Sequence, residues 1–360
     1  MVEGKGRFAH GGDVYDASGN RIDAIDFSAN LNPLGMPAEV VQRLSDAAAS
    51  FDIYPDPQCR ALRAALAAHH GIPPEYVLCT AGASDLIDRL CLTLLPENAL
   101  VTAPCFSGYI QALERVGAHI VHHRLREEEG FNVTARILDE LRATSLPSGA
   151  AFDVVVLCSP NNPTGLVLDS GLLRELLDAA RETGTTVVLD ECFLGFTDET
   201  SAVELCAENR HLVVVRAFTK MYALAGLRLG YGVCADVGLV HRLDEAGQPW
   251  AVSTPAQIAG QAALGVEGWH QRTREYVRAE REALRHGLES LGCTVVPGQA
   301  NYLLFRCPIA LCEPLRERGI LIRCCDDYEG LDAAWYRVAV RTTDENAALL
   351  QAMKEVLDEG

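Results

Sequence analysis

Between residues 76 and 235, short apolar runs alternate with stretches of helical periodicity, and this limits the folds open to the chain more than any other feature. The runs are Tyr76 to Thr80, Leu100 to Ala103, His119 to His123, Val154 to Cys158, Thr186 to Asp190 and Leu212 to Arg216. Runs this short, separated by helical patterns, mark an α/β chain with a mostly parallel central sheet and helices on both faces. In such a sheet ligands gather beyond the carboxyl ends of the strands. Chemistry is therefore expected where these runs stop.

Three polar motifs begin at such ends. Asp190 closes the run Thr185-Thr186-Val187-Val188-Leu189. The loop Ser159-Pro160-Asn161-Asn162-Pro163-Thr164-Gly165 follows Cys158. Phe218-Thr219-Lys220-Met221 follows Leu212 to Arg216, with Arg228 eight residues past the lysine. A lysine amine can condense with an aldehyde cofactor, and a guanidinium is a planar, permanently charged donor for that cofactor's phosphate. A carboxylate at Asp190 could pair with a ring nitrogen and keep it protonated, making the ring an electron sink. Asn162 offers an amide donor to a ring oxygen. A lone strand-end lysine is most often a solvated charge; the order of loop, aspartate, lysine and arginine gives these residues their meaning.

Two further segments suit the same ligand. Gly82-Ala83-Ser84 follows a strand and opens a helix around Asp85 to Leu95, so Ala83, Ser84 and the backbone N–H groups could bind phosphate. The plainer reading makes Ser84 an N-cap. Phe106 lies just past another strand end, where an aromatic ring could stack on a planar cofactor; core packing is the alternative.

Beyond Gly232 the pattern changes. A charged helical stretch from about Gly268 to Leu291 leads into short strands at Cys293 to Val296, Tyr302 to Arg306, Ile320 to Arg323 and Trp335 to Val340, with a helix from Asp344 to Glu359 at the end. The expected organisation is an arm over residues 1–45 that crosses the active site, a large domain over 46–240 and a smaller α+β domain over 241–360. Alternation along the last strand puts Arg337, Ala339 and Arg341 on one face. With Arg323 nearby, these arginines suggest a pocket for a doubly anionic substrate, a carboxylate and a phosphate each bound bidentately.

A formal charge of -18 argues against nucleic acid and against anionic lipid surfaces, so an anionic substrate needs local arginines. Met1 to Gly12 is too polar for a signal peptide, and no apolar run reaches spanning length. The 13 cysteines show no Cys-x-x-Cys spacing, so neither a disulfide framework nor a zinc knuckle is expected, and a reducing cytoplasm fits best. His119, His122 and His123 cluster in a strand-like run without a supporting carboxylate or thiolate, so no metal is expected.

The order of loop, Asp190, Lys220 and Arg228 resembles the fold type I pyridoxal-phosphate enzymes, the class I and II aminotransferase group. From end to end the chain is most similar to the threonine-phosphate decarboxylase family of cobalamin biosynthesis, and next to the histidinol-phosphate aminotransferases. The segments that carry this are His10-Gly11-Gly12, Asp26-Phe27-Ser28-Ala29-Asn30-Leu31-Asn32-Pro33-Leu34-Gly35, Tyr54-Pro55-Asp56, the loop of Asn162, Thr219-Lys220 through Gly230, Ala300-Asn301-Tyr302 and Ile320-Leu321-Ile322-Arg323.

The resemblance implies pyridoxal 5'-phosphate as cofactor, a small phosphorylated amino acid as substrate and a homodimer with shared active sites. Arg337 would take the substrate's α-carboxylate. Arg323, the His10 arm with Asn32, Arg341 and Tyr54 of a neighbouring subunit would shape the rest of the site. The implied reaction is decarboxylation of L-threonine O-3-phosphate, with transamination of histidinol phosphate as the alternative and a non-catalytic regulator as a third. Two departures stand out: Phe193 where many relatives have tyrosine, and Ala217 three residues before the lysine, where relatives often carry serine or threonine.

Overall fold

A computed structural model describes residues 11–142 and 151–359. The strands in chain order are β1 (Ile25–Asp26), β2 (Val77–Thr80), β3 (Asn98–Ala103), β4 (His119–Arg124), β5 (Val154–Cys158), β6 (Thr186–Asp190), β7 (Leu212–Ala217), β8 (Gly230–Val233), β9 (Thr294–Val295), β10 (Tyr302–Arg306), β11 (Ile320–Leu321), β12 (Arg323–Cys324) and β13 (Trp335–Ala339). Seven of them form the central sheet in the order β2-β8-β7-β6-β5-β3-β4.

The six runs read from sequence are the six strands of this sheet that point one way. β8, antiparallel to both β2 and β7, was not among the expected strands. Gly230-Tyr231-Gly232 is glycine-rich, yet the sheet needs those glycines: a Cβ at Gly230 would stand 2.6 Å from the Ala83 nitrogen.

The helices follow from local signals. Ser170–Thr183 begins at Asp169, whose side chain accepts from the Leu172 N–H at 2.8 Å, and stops at Gly184, whose φ of 75° suits a residue without Cβ. Leu173, Leu176, Leu177 and Ala180 give it the 3.6-residue stripe that covers the sheet. Fully buried aliphatic residues such as Leu100, Val155, Val187 and Val214 fill the larger core, each contributing about 1.5–3 kcal/mol by leaving water.

A second core surrounds the four-stranded sheet β12-β13-β10-β9 and contains Leu303, Phe305, Val338 and Met353. The N-terminal segment joins it: β1 pairs with β11 in parallel, Phe27 is fully buried there, and the Phe27 carbonyl accepts from the Ala339 N–H at 2.8 Å. One helix, Trp269–Ser290, serves both cores, sending Trp269 and Val277 into the first and Leu284 and Leu288 into the second. The helix Thr254–Leu264 packs on Ala38–Ala47 and Arg60–His70 through the first core. No described helix is long and apolar enough to cross a membrane.

The cysteines need one correction. Cys312 and Cys324 form a disulfide with Cα atoms 6.4 Å apart, within the ordinary range for a bridge. No spacing motif announces the pair, because it joins the start of the helix Cys312–Glu317 to β12, and only tertiary packing brings these together. Eleven other cysteines are buried free thiols.

Candidate active site

A cleft opens between the two sheets and is lined by side chains from both, a setting in which small organic ligands commonly bind. Its floor is made at the ends of strands. Asp190 ends β6 and is buried. Its Oδ1 accepts from the Cys192 N–H at 2.8 Å, and its Oδ2 accepts from the Tyr109 hydroxyl at 2.6 Å. Burial, then the Asp190 charge, raises the Tyr109 hydroxyl well above its ordinary pKa, so it remains a donor. Tyr109 went unread in the sequence; the available signal was its place one helical turn after Phe106, the N-cap of the helix Ser107–Arg115.

Lys220 stands on the short helix Phe218–Met221 that follows β7. Burial pulls the pKa of its amine below the usual lysine value, and the Arg337 and Arg228 charges act the same way. Its Nζ lies 5.6 Å from the centre of the Phe193 ring. The backbone here is fastened from behind. Asn32 N–H donates to the Lys220 carbonyl at 3.2 Å, while Asn32 Nδ2 and Trp269 Nε1 donate to the Met221 carbonyl at 2.7 and 3.0 Å.

At one end of the floor, the helix Ala83–Leu94 points its N-terminus at the cleft. Its N-cap is Gly82, at φ 93°, and no side chain caps it. Ser84, read from sequence as a possible N-cap, instead lies within the first turn and lines the cleft with Ala83, Thr219 and Arg228. A Cβ on Gly82 would come within 3.0 Å of Arg228 Nη2, so the missing side chain lets the guanidinium lie against the helix start. Phe106 lines the cleft nearby.

The roof comes from the second sheet and the N-terminal segment. Arg337 is buried; its Nη2 donates to the Ser28 carbonyl at 2.7 Å, its Nη1 donates to Asn162 Oδ1, and its Nε has no partner. The Asn162 amide NH2 is thus left for the cleft. Arg323 also lines the cleft and pairs with Asp327 at 2.6 Å. Asn30 is buried in the lining, and its side-chain oxygen has no partner.

Several expected residues lie elsewhere. Arg341 is not in the cleft wall: β13 ends at Ala339, so strand alternation does not extend to it, and its guanidinium turns to the Asp26 carbonyl at 3.0 Å and Glu345 at 2.7 Å. Asn32 supports the lysine segment from behind and does not line the cleft, where Asn30 appears instead. Tyr54 is 78% exposed, against Trp250 with ring centres 4.9 Å apart, and is absent from the cleft lining of this chain. His10 lies outside the described residues. Ser28, Ala29 and Tyr328, which the sequence did not single out, line the cleft.

Among the described lining residues, three arginines and a lysine thus face a single carboxylate, Asp190, in a chain of formal charge -18. This donor set fits pyridoxal 5'-phosphate. Amide donors and Arg228 suit its phosphate, an amine of lowered pKa suits its aldehyde, and a buried carboxylate suits its ring nitrogen. The missing Cβ at Gly82 leaves the phosphate end open.

Fold and site define a pyridoxal-phosphate-dependent enzyme of fold type I. Residues 22–353 match the family described as aminotransferase class I and II, and the chain belongs to it. It is 38% identical to the threonine-phosphate decarboxylase of Salmonella typhimurium over 97% of this chain and 96% of the relative. It is 32% identical to the histidinol-phosphate aminotransferase of Methanosarcina barkeri over 92% of this chain and 88% of that one. Among solved structures, the histidinol-phosphate aminotransferase of Clostridium acetobutylicum superposes with a TM-score of 0.86 at 25% identity, covering 93% of this chain and all of that one.

Proposed function

We propose that the enzyme removes the α-carboxylate of L-threonine O-3-phosphate, giving carbon dioxide and (R)-1-aminopropan-2-yl phosphate for cobalamin biosynthesis. The observation that carries this reading is the register of β12 on β13, which sets Arg323 directly opposite Arg337 in one cleft wall. Like charges facing each other across strands are unfavourable, and a ligand with two anionic groups would relieve them. Similarity to the Salmonella decarboxylase supports the same reading.

When bound, pyridoxal phosphate supplies an aldehyde for the substrate amine and an electron-poor ring that accepts the electron pair of the bond broken at Cα. Lys220 would anchor the cofactor through its amine and hold the proton to be delivered to Cα. Asp190, held by Tyr109 and Cys192, would pair with the ring nitrogen. Ala83, Ser84, Thr219 and Arg228 would hold the phosphate, with Ala217 adding no hydroxyl, and Phe106 would pack on the ring. With phenylalanine at 193, the Asn162 amide is left to reach the ring oxygen. Arg337 takes the α-carboxylate, and Arg323 with Asn30 takes the substrate phosphate.

The active form is proposed to be a cytoplasmic homodimer. Phe51, Ile53, Tyr54 and Trp250 expose apolar surface together, and Tyr54 would reach the partner's cofactor phosphate from it. Within the arm proposed over residues 1–45, Ser28, Ala29 and Asn30 line the cleft. The chain is proposed to divide into a large domain over 46–240 and a smaller domain over 241–360, with the helix Trp269–Ser290 contributing side chains to both cores.

Transamination of histidinol phosphate is the second reading, favoured by the 32% identity to such an enzyme. Carbon dioxide release from threonine phosphate without any 2-oxo acid, lost in Lys220→Ala, is the expected result. No release, with glutamate formed from histidinol phosphate and 2-oxoglutarate, would move the assignment to the aminotransferase.

A further inference from the structure

Tyr328 stands between the two roof arginines. Its ring faces the Arg323 guanidinium, whose Cζ is 5.2 Å from the ring centre, and its hydroxyl accepts from Arg337 Nη1 at 3.4 Å. The residue is itself held. It is buried beside Leu304 and Trp335, its N–H donates to the Cys325 carbonyl at 3.1 Å, and its carbonyl accepts from Leu331 N–H at 3.1 Å. Asp327, one residue earlier, pairs with Arg323 at 2.6 Å.

Two guanidiniums placed opposite each other on neighbouring strands would repel and splay apart. An aromatic face takes one of them by cation–π attraction, and a hydroxyl takes the other, so both are held at one spacing before a ligand arrives. Preorganisation of this kind favours ligands whose anionic groups already match the spacing.

We propose that Tyr328 is a specificity-determining residue that fixes the separation of Arg323 and Arg337 and so selects substrates with a carboxylate and a phosphate a short distance apart. This rests on the two-anion reading of the roof given above. Tyr328 acts through the arginines, as a positioning residue.

The test is calorimetric binding of L-2-amino-4-phosphonobutyrate and the one-carbon-longer L-2-amino-5-phosphonopentanoate to the cofactor-loaded enzyme. Wild type is expected to prefer the shorter compound about tenfold, a size of discrimination ordinary for one methylene. Tyr328→Phe, which keeps the ring, should retain most of that preference while binding both compounds a few-fold more weakly. Tyr328→Leu should bring it below about threefold, with Tyr328→Met as a fuller replacement should the Leu variant fail to fold. A tenfold preference surviving in the Leu or Met variant, or no preference in wild type, overturns the proposal. Carbon dioxide release by wild type is scored separately: its absence beside an intact preference that depends on Tyr328 counts against decarboxylation and for the role of Tyr328.

Discussion

The floor of the cleft takes Ser84, Phe106, Asn162, Asp190 and Lys220 from segments that leave the ends of five strands in one sheet, whereas the roof takes Ser28, Asn30, Arg323, Tyr328 and Arg337 from both ends of the chain. Each floor residue needs only its own strand to end in the right place. The roof residues also need distant segments to meet, β1 with β11 and Ser28 with Arg337, besides the more local pairing of β12 with β13. The difference separates chemistry from selection: floor substitutions should act on kcat, roof substitutions on KM and substrate choice.

The sharpest break between the two is Lys220→Ala, expected to lower kcat at least about 10⁴-fold by removing anchor and proton carrier together. Asp190→Asn, which keeps the shape and removes the charge, should cost about 100- to 1,000-fold in kcat, and Tyr109→Phe about tenfold, as a lost hydrogen bond to a charged group. In the roof, Arg337→Ala should raise KM about 100-fold, since truncating one side of a buried charged contact costs several kcal/mol. Arg341→Ala, half-buried outside the cleft wall, should leave KM within about twofold and lower stability by roughly 1 kcal/mol, measured by urea unfolding. Equal effects on KM from Arg337 and Arg341 would erase the distinction between the roof and the residues beside it.

The smallest expected effect concerns acid. Burial first, then the Arg216 charge, lowers His70 to about 3 and His270 to about 4 from 6.5, and both serve the floor. His70 Nε2 meets the Tyr231 hydroxyl at 2.8 Å, and His270 Nε2 meets Tyr222, two residues after Lys220, at 2.9 Å. A base whose folded pKa lies below its unfolded pKa binds more protons when unfolded. Its contribution is therefore complete above pH 6.5 and is lost as pH falls toward 4 and 3. Urea midpoints should drop from pH 7 to pH 4.5, and the drop should be smaller in His270→Asn.

The same contrast explains what could be read without coordinates. Apolar runs mark the six like-directed strands of the main sheet, and polar residues at their ends, Asp190 and Asn162 among them, needed no long-range knowledge. β8 escaped because Gly230 and Gly232 dilute its apolar signal, although close packing on Ala83 and Leu86 requires them. In the roof, alternation put Arg341 beside Arg337, yet the strand ended first. Asn30 and Asn32 stand two residues apart in the same motif, and only the fold decides that one faces the cleft while the other fastens Lys220 from behind. Tyr328 follows Arg323 in a turn with no periodic signature. The Cys312–Cys324 pair likewise depends on packing alone.

The central claim is that the bond from Cα to the carboxylate breaks while the Cα–H bond stays. L-threonine O-3-phosphate carrying deuterium at Cα, turned over without a 2-oxo acid and followed by NMR, tests it directly. The account predicts aminopropyl phosphate that keeps the deuterium beside one proton from solvent. Loss of the deuterium to solvent, with the carboxylate still in place, would contradict it.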